Sequence, residues 1–336
     1  MSGLRVGIVG ATGAVGHDLL EVLAARAFPV ASLRLFASPR SAGGELPFRG
    51  ARIPVEAAEP DALAGLDVCF FSAGAAVSRA LAPAAAAHGA LVVDNSSAFR
   101  LDPDVPLVVP ECNPGALADV PRGIVANPNC STIILCVALA PLHAAAGVVR
   151  VVVATYQAAS GAGARAVEEL RAGTRARLAG EPFTPQVLPQ SLAFNLFPQV
   201  DVFQADGYTK EEDKMLHETR KILGVPDLAL EATCVRVPIE RCHSEAVSVQ
   251  LARAVRPDEA RALFARAPGL VVVDEPAAGR YPMPSTCTRQ DAVAVGRVRS
   301  SRVFEPGLAF WLVGDQIRKG AALNAVQIAE LAAARR

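Results

Sequence analysis

Short apolar, β-branched runs alternate with Ala/Leu-rich stretches through the first half of the chain. The runs at 4–9, 32–37, 67–71, 91–94, 107–109 and 124–126 predict strands, and the stretches at 15–26, 75–88 and 131–145 predict helices. Strands in regular alternation with helices specify a parallel sheet covered on both faces. The expected architecture is α/β, with a doubly wound, Rossmann-type dinucleotide-binding domain over residues 1–130.

From residue 148 the rhythm changes. An apolar strand at 148–154 precedes helices near 162–178 and 209–223, and strands at 231–237, 245–251, 270–273, 291–298 and 308–313 then crowd together. That order predicts an α+β domain with a mixed or antiparallel sheet over 131–317. Residues 181–198 hold too many prolines for a helix and predict an ordered excursion, suited to a subunit interface. The last stretch, 318–336, has good helix propensity.

Composition narrows the class. With 336 residues, two domains of roughly 100–200 residues each are expected, and 51% apolar content is ample for their cores. Lys and Arg total 33, as do Asp and Glu, so no net field favours nucleic acid or an anionic membrane. Met1 to Arg5 lead directly into a strand pattern without a signal peptide, and the Ala-rich stretch 73–90 is interrupted by Arg79, Pro83 and His88. Seven widely spaced cysteines show neither a disulfide framework nor metal-ligand spacing, so a cytoplasmic protein without a metal is expected.

Gly10-Ala-Thr-Gly13-Ala-Val-Gly16 follows the first strand and opens a helix, so the backbone around Gly10, Thr12, Gly13, Ala14, Val15 and Gly16 can approach a pyrophosphate. The competing reading is a tight turn without a ligand. In NAD-binding folds an acid about 20 residues beyond the glycines commonly holds the ribose 2′-OH. None stands between Glu21 and Glu45; Ser38, Arg40 and Ser41 occur there instead and suit a 2′-phosphate, although Arg40 is also compatible with a solvated turn. Ala73 and Gly74 open another helix and can line the same groove.

Asn129-Cys130-Ser131 lies where a strand gives way to a helix. A thiol at a helix N-terminus meets unpaired N–H groups and the positive dipole end, which favour the nucleophilic thiolate. Cys69 and Cys136 sit inside apolar elements and read as core. Among five histidines, only His243 lies outside a helical pattern, in a loop at a strand end after Arg236-Val-Pro-Ile-Glu-Arg241-Cys242. On one unbroken strand, parity would send Arg236 and His243 to opposite faces; Pro238 offers a break.

These motifs, together and in order, resemble the aspartate-semialdehyde dehydrogenase family. The match runs through 10–16, 38–43, Asp94-Asn-Ser-Ser-Ala-Phe-Arg100, Asn129-Cys130-Ser131-Thr132, Gln157 with Ser160-Gly161-Ala-Gly163, 211–214, 236–243 and Arg318-Lys-Gly-Ala-Ala-Leu-Asn324. The resemblance implies NADPH-dependent reductive dephosphorylation of L-aspartyl 4-phosphate, in the aspartate pathway to lysine, threonine, methionine and isoleucine. It implies a thioester on Cys130, oxyanion support from Asn129, acid/base work by His243 and substrate orientation by Gln157. Arg236 would take the substrate carboxylate, Glu211 its ammonium, and Arg100 with Lys214 the phosphate. Ser160, Gly161 and Asn324 would join the NADP set, and relatives are homodimers or tetramers.

The residue types suit those roles, since Arg offers a fork to carboxylate and phosphate and Lys a point charge. Glu211 and Lys214 share a helix face, which also fits a surface ion pair. Thr209 with Glu212 reads as a capping box that leaves Glu211 free of the cap. Two positions depart from the family pattern: Gly44 replaces a frequent Lys, and Gln316 a usual Asn. The nearest rival is an N-acetyl-glutamyl-phosphate reductase, whose substrate lacks a free ammonium. A catalytically silent paralogue would have shown itself by loss of Cys130 or His243.

Overall fold

A computed structural model describes residues 3–335; Met1, Ser2 and Arg336, at the ends of the expected first domain and final helix, lie outside it. The chain forms two compact units. One comprises the chain up to Asn129 with the segment from Ala321 onward, and the other is Cys130–Gly320.

In the first unit the elements are β1 (Leu4–Val9), α1 (Ala14–Ala25), β2 (Val30–Ala37), β3 (Glu45–Phe48), β4 (Ala51–Ala57), β5 (Val68–Phe71), α2 (Ala75–Ala87), β6 (Leu91–Asp94) and β7 (Ile124–Ala126). They build a seven-stranded sheet in the order β3-β4-β2-β1-β5-β6-β7, parallel except for the β3–β4 hairpin. From β1 the chain steps first to β2 on one side and later to β5 on the other, so a crevice opens at the C-terminal end of β1.

Two details differ from the sequence expectation. The β3–β4 hairpin was not anticipated, because Pro47 and Pro54 with Glu45, Arg52 and Glu56 break an apolar pattern; at a sheet edge such residues are tolerated. Conversely, 107–109 is no strand. It makes one bridge, Leu107 to Ala126, and the Asn113 side chain engages both ends of the stretch, accepting from Val109 N and donating to Leu107 O at 2.9 Å each.

The second unit contains α3 (Cys130–Ala146), β8 (Val148–Gln157), α4 (Ala164–Ala179), α5 (Lys210–Leu223), β9 (Ala229–Arg236), β10 (His243–Leu251), α6 (Pro257–Arg266), β11 (Leu270–Val272), α7 (Pro284–Cys287), β12 (Val293–Ser300) and β13 (Gly307–Gly314). Its mixed sheet runs β11-β12-β13-β10-β8-β9. Residues of α3, α5 and α6, among them Leu135, Leu139, Met215 and Phe264, share one core with Val153, Val247 and Phe310 of the sheet. The excursion carries no helix or strand and is anchored by Glu169, whose carboxylate accepts the successive N–H groups of Gln186, Val187 and Leu188 at 2.5, 2.6 and 2.9 Å.

The expected single helix at the end is split. Arg318–Ala322 forms a wide turn, and α8 (Leu323–Ala333) packs in the first unit, where Glu330 takes both prongs of Arg26 at 2.7 Å.

Candidate active site

At the end of β1, Gly10 has φ +91°, and a side chain there would collide with the Ser72 carbonyl. Gly16 lies against the Gly10 and Ala11 carbonyls, so α1 can pack onto the loop only without a Cβ at this position. Gly13 is the N-cap of α1 and supplies no side-chain cap, leaving the first-turn N–H groups of Ala14 and Val15 for an anion. Beside this turn lies a groove of about 590 Å³, lined by Gly10, Thr12, Gly13, Ser38, Ser41 and Ala73 among others. Gly74, φ +88°, caps α2 at its edge. Arg40 is exposed in the turn just past β2. The groove fits a dinucleotide: small walls, free backbone donors, and no acid at the end of β2. At the other departure, Gly44 has no atom near its Cα that would exclude a side chain.

The chain leading to the thiol is braced. Asp94 accepts the hydroxyls of Ser78 and Ser96 at 2.7 Å each, fixing the loop before Arg100. Arg100 is buried and donates through Nε to the Asn127 carbonyl and through Nη2 to that of Asn95, at 2.9 and 2.8 Å. Asn324 donates Nδ2 to Asn127 Oδ1 and to the Val108 carbonyl at 2.7 and 2.9 Å. Asn129 is buried and closes the first unit; Cys130, half-buried, opens the second as the first residue of α3.

Sheet register arranges the second unit's polar residues in rows. Arg236 pairs with Gln157, and His243 with Gly314, at the end nearest the start of α3. The next row is Cys234, Thr155, Glu245 and Leu312, and the one after is Ala232, Val153, Val247 and Phe310. Polarity thus fades into core over two rows. His243 is not in a loop but starts β10, and Arg236 ends β9; the turn between them, with Cys242 at φ +75°, restores both side chains to one face. A Cβ placed on Gly161 would lie 3.0 Å from Arg236 Nη1 and 3.1 Å from His243 Nε2, so the two tips converge over this glycine.

Ala158 holds both. Its N–H donates to His243 Nδ1 at 3.1 Å, and its carbonyl accepts Arg236 Nη1 at 2.7 Å. Among the described residues, Arg236 Nε and His243 Nε2 have no hydrogen-bond partner. Burial lowers the Arg236 pKa, opposed first by the carboxylate of Glu211. Gln316 reaches across as well: its Oε1 accepts Cys242 N at 2.8 Å, and its Nε2 donates to Ser160 Oγ at 2.5 Å, a hydroxyl that itself donates to the Glu240 carbonyl.

α5 starts with the expected capping box, Glu212 N to Thr209 Oγ1 at 3.4 Å and Thr209 N to Glu212 Oε2 at 2.7 Å. Glu211 stays out of the cap, yet it is not loose. It accepts Gln157 Nε2 at 3.2 Å and Lys214 Nζ at 3.1 Å, and Gln157 also donates to Ser131 Oγ at 2.5 Å. Lys214 is further held by Asp201 at 2.7 Å; burial acts to depress its pKa, but the two carboxylates prevail and raise it. Ala158 and Asp201 were not singled out by sequence, and Ser131 stood there only as part of the motif around Cys130. Asp201 sits in an irregular stretch without a motif, and Ala158 acts through main chain, which no side-chain pattern reveals. Among the described residues, no group of three or more His, Cys, Asp or Glu side chains could hold a metal, and no helix is long and apolar enough to cross a membrane.

A semialdehyde dehydrogenase NAD-binding domain model matches residues 5–120, and a semialdehyde dehydrogenase dimerisation domain model matches 139–319. Aspartate-semialdehyde dehydrogenase of Aquifex aeolicus is 52% identical over 332 residues, covering 98% of each chain. That of Synechocystis sp. is 52% identical over 330 residues, covering 98% of this chain and 97% of the relative. Among solved structures, aspartate semialdehyde dehydrogenase II from Vibrio cholerae, complexed with ASA, superposes with a TM-score of 0.97 at 43% identity, covering 99% of both chains.

Proposed function

Since the chain belongs to the aspartate-semialdehyde dehydrogenase family, we propose that it carries out the reversible, phosphate-dependent interconversion of L-aspartyl 4-phosphate and L-aspartate 4-semialdehyde with NADP(H). The observation that carries this reading is the assembly in one unit of a helix-terminal thiol, a convergent Arg236–His243 pair and the Gln157–Glu211–Lys214 chain. A free amino acid with an activated side-chain carboxyl needs that combination of nucleophile, carboxylate receptor and ammonium receptor.

Cys130 attacks the acyl carbon as thiolate, favoured by the dipole at the start of α3. Asn129 supports the tetrahedral oxyanion, and His243 serves the same oxygen. Phosphate leaves toward the cation of Lys214. Arg236 uses its fork on the substrate carboxylate, Glu211 takes the ammonium, and Gln157 keeps both aligned with the nucleophile. A bound dinucleotide would supply hydride; Gly10, Gly13 and the first turn of α1 would hold its pyrophosphate, with Arg40, Ser38 and Ser41 at the 2′-phosphate. The seven cysteines stand as thiols, in keeping with a reducing cytoplasm. Two such chains pair through the second unit, whose open sheet face shows Val152 at 47% exposure beside the Tyr156 and Trp311 rings, which meet at a tilt of 51°.

Purified protein is to be assayed for phosphate-dependent reduction of NADP with L-aspartate 4-semialdehyde, alongside N-acetyl-glutamate semialdehyde and NAD. Preference for the free amine and NADP supports the reading, and preference for the acetylated substrate overturns the roles of Glu211 and Arg236. Cys130→Ala should abolish turnover and leave the circular dichroism spectrum unchanged.

A further inference from the structure

Val200 is buried in the core of the second unit together with Met215, the residue after Lys214. The stretch that carries it is pinned on both sides. Phe197 and Arg236 exchange N–H···O bonds at 3.1 and 2.9 Å, and Lys210 N donates to the Val202 carbonyl at 3.0 Å. Asp201 is thereby fixed beside α5 by the fold. Its backbone is left-handed, φ +66°, a conformation that Asp and Asn tolerate better than most residues. One carboxylate oxygen, Oδ1, accepts Val202 N at 2.9 Å, which leaves Oδ2 for Lys214 Nζ at 2.7 Å.

A lysine is a point charge on a flexible stem, with three N–H donors. Paired only with Glu211, three residues back on the same helix, Lys214 would close on that carboxylate and neutralise it. The bond to Asp201 is the shorter of its two, 2.7 Å against 3.1 Å to Glu211. Carboxylates from two different segments thus direct two of the three donors, and the third can meet a phosphate oxygen. From this arrangement we infer that Asp201 is a positioning residue: it draws the Lys214 ammonium away from Glu211, so that Lys214 faces the phosphate and Glu211 keeps its charge for the substrate ammonium. The inference rests on the roles proposed above for Lys214 and Glu211. It adds the residue that lets two neighbouring side chains of opposite charge serve two ligand groups without cancelling each other.

The surrounding groups leave this task to Asp201. β9 presents Arg236, a cation drawn to Glu211, and Cys234, a thiol that burial keeps protonated. On α5 itself, Glu212 is occupied by the cap and by Cys234 N, Asp213 by Gln204 Nε2, and Glu218, a turn further along, is buried. α3 contributes Cys130, whose charge acts on Arg236. Burial pulls the Lys214 pKa down, but Glu211 and Asp201 hold it raised, so the ammonium stays charged at neutral pH.

Asp201→Asn keeps the acceptor for Val202 N and suits the left-handed backbone, so it removes the charge and little else. The chain has four lysines, Lys210, Lys214, Lys221 and Lys319, and ¹³C-lysine labelling follows each, with Lys214 assigned by difference against Lys214→Arg. In Asp201→Asn the Lys214 titration should fall by at least about one pH unit. KM for phosphate and KM for semialdehyde should each rise about fivefold or more with a smaller change in kcat, and the alkaline limb of kcat/KM for phosphate should move to lower pH with the lysine. Asp201→Ala, which also removes the Val202 bond, isolates the part played by the loop. A residue that only shaped the loop would leave Asp201→Asn like the parent in titration and KM, and would harm Asp201→Ala alone. That pattern overturns the inference, as does a lowered titration with both KM values unchanged. A parent without phosphate-dependent turnover overturns the activity on which the inference stands, whereas an active parent whose lysine does not move in Asp201→Asn overturns the inference alone.

Discussion

Gly320 lies so close to Cys130 that a Cβ on it would stand 2.9 Å from the cysteine Cβ. The wide turn Arg318–Ala322 therefore serves as the floor under the nucleophile, and its shape depends on a missing side chain. Gly320→Ala should displace the thiol and lower kcat by at least about tenfold, since small misplacements of reacting groups are costly. The rate of Cys130 alkylation should change in parallel. Unaltered alkylation and kcat would show that the turn yields without moving the cysteine.

Arg236→Lys keeps the charge but loses the planar fork and its bond to the Ala158 carbonyl. The expected result is a KM for semialdehyde raised by about tenfold or more, with a smaller change in kcat. A normal KM would make Arg236 structural.

Arg40→Ala removes an exposed cation in the turn past β2. Affinity for NADP(H) should fall about tenfold or more relative to NAD(H), as expected for a lost charge-assisted phosphate contact. Equal weakening of both cofactors in a fluorescence titration would remove the 2′-phosphate assignment.

Glu245 is fully buried, neither carboxyl oxygen has a hydrogen-bond partner among the described residues, and burial raises its pKa well above the ordinary value of 4.5. Above that ordinary value the unfolded chain ionises while the native chain keeps the proton. The native state then binds more protons, so stability is fully present below the ordinary value and is lost as pH rises toward the native pKa, at roughly 1.4 kcal/mol per pH unit. Glu245→Gln keeps the shape without the titration. In urea melts the variant should be more stable than the parent at pH 8, with the gap closing near pH 4. A gap independent of pH would mean that the carboxyl titrates normally in the fold.

Much of the architecture was legible because periodicity and burial agree: β1, β6 and β7 occupy the expected residues, and the thiol begins α3. The β3–β4 hairpin was hidden by Pro47 and Pro54, which local propensity assigns to loops and only an edge position excuses. Side-chain chemistry pointed to Arg236, Gln157 and Glu211 from motif order, but their ties were not readable. That Gln157 spans Ser131 and Glu211 follows from three elements meeting, and no spacing in sequence encodes it. Gln316 was visible only as a departure from the family pattern. In the fold its extra methylene lets one amide bridge Cys242 and Ser160.

The peptide group of Ala158 has an evolutionary consequence. A side chain that orients two functional groups can be lost by any of many substitutions, whereas a main-chain N–H is removed only by proline and a carbonyl by none. The alignment of His243 with Arg236 is thereby insulated from mutational drift at 158 so long as the buried methyl is replaced by something that fits. Relatives with a different residue at this position should keep the same alignment of the two side chains, and comparison of their sequences would never reveal what enforces it.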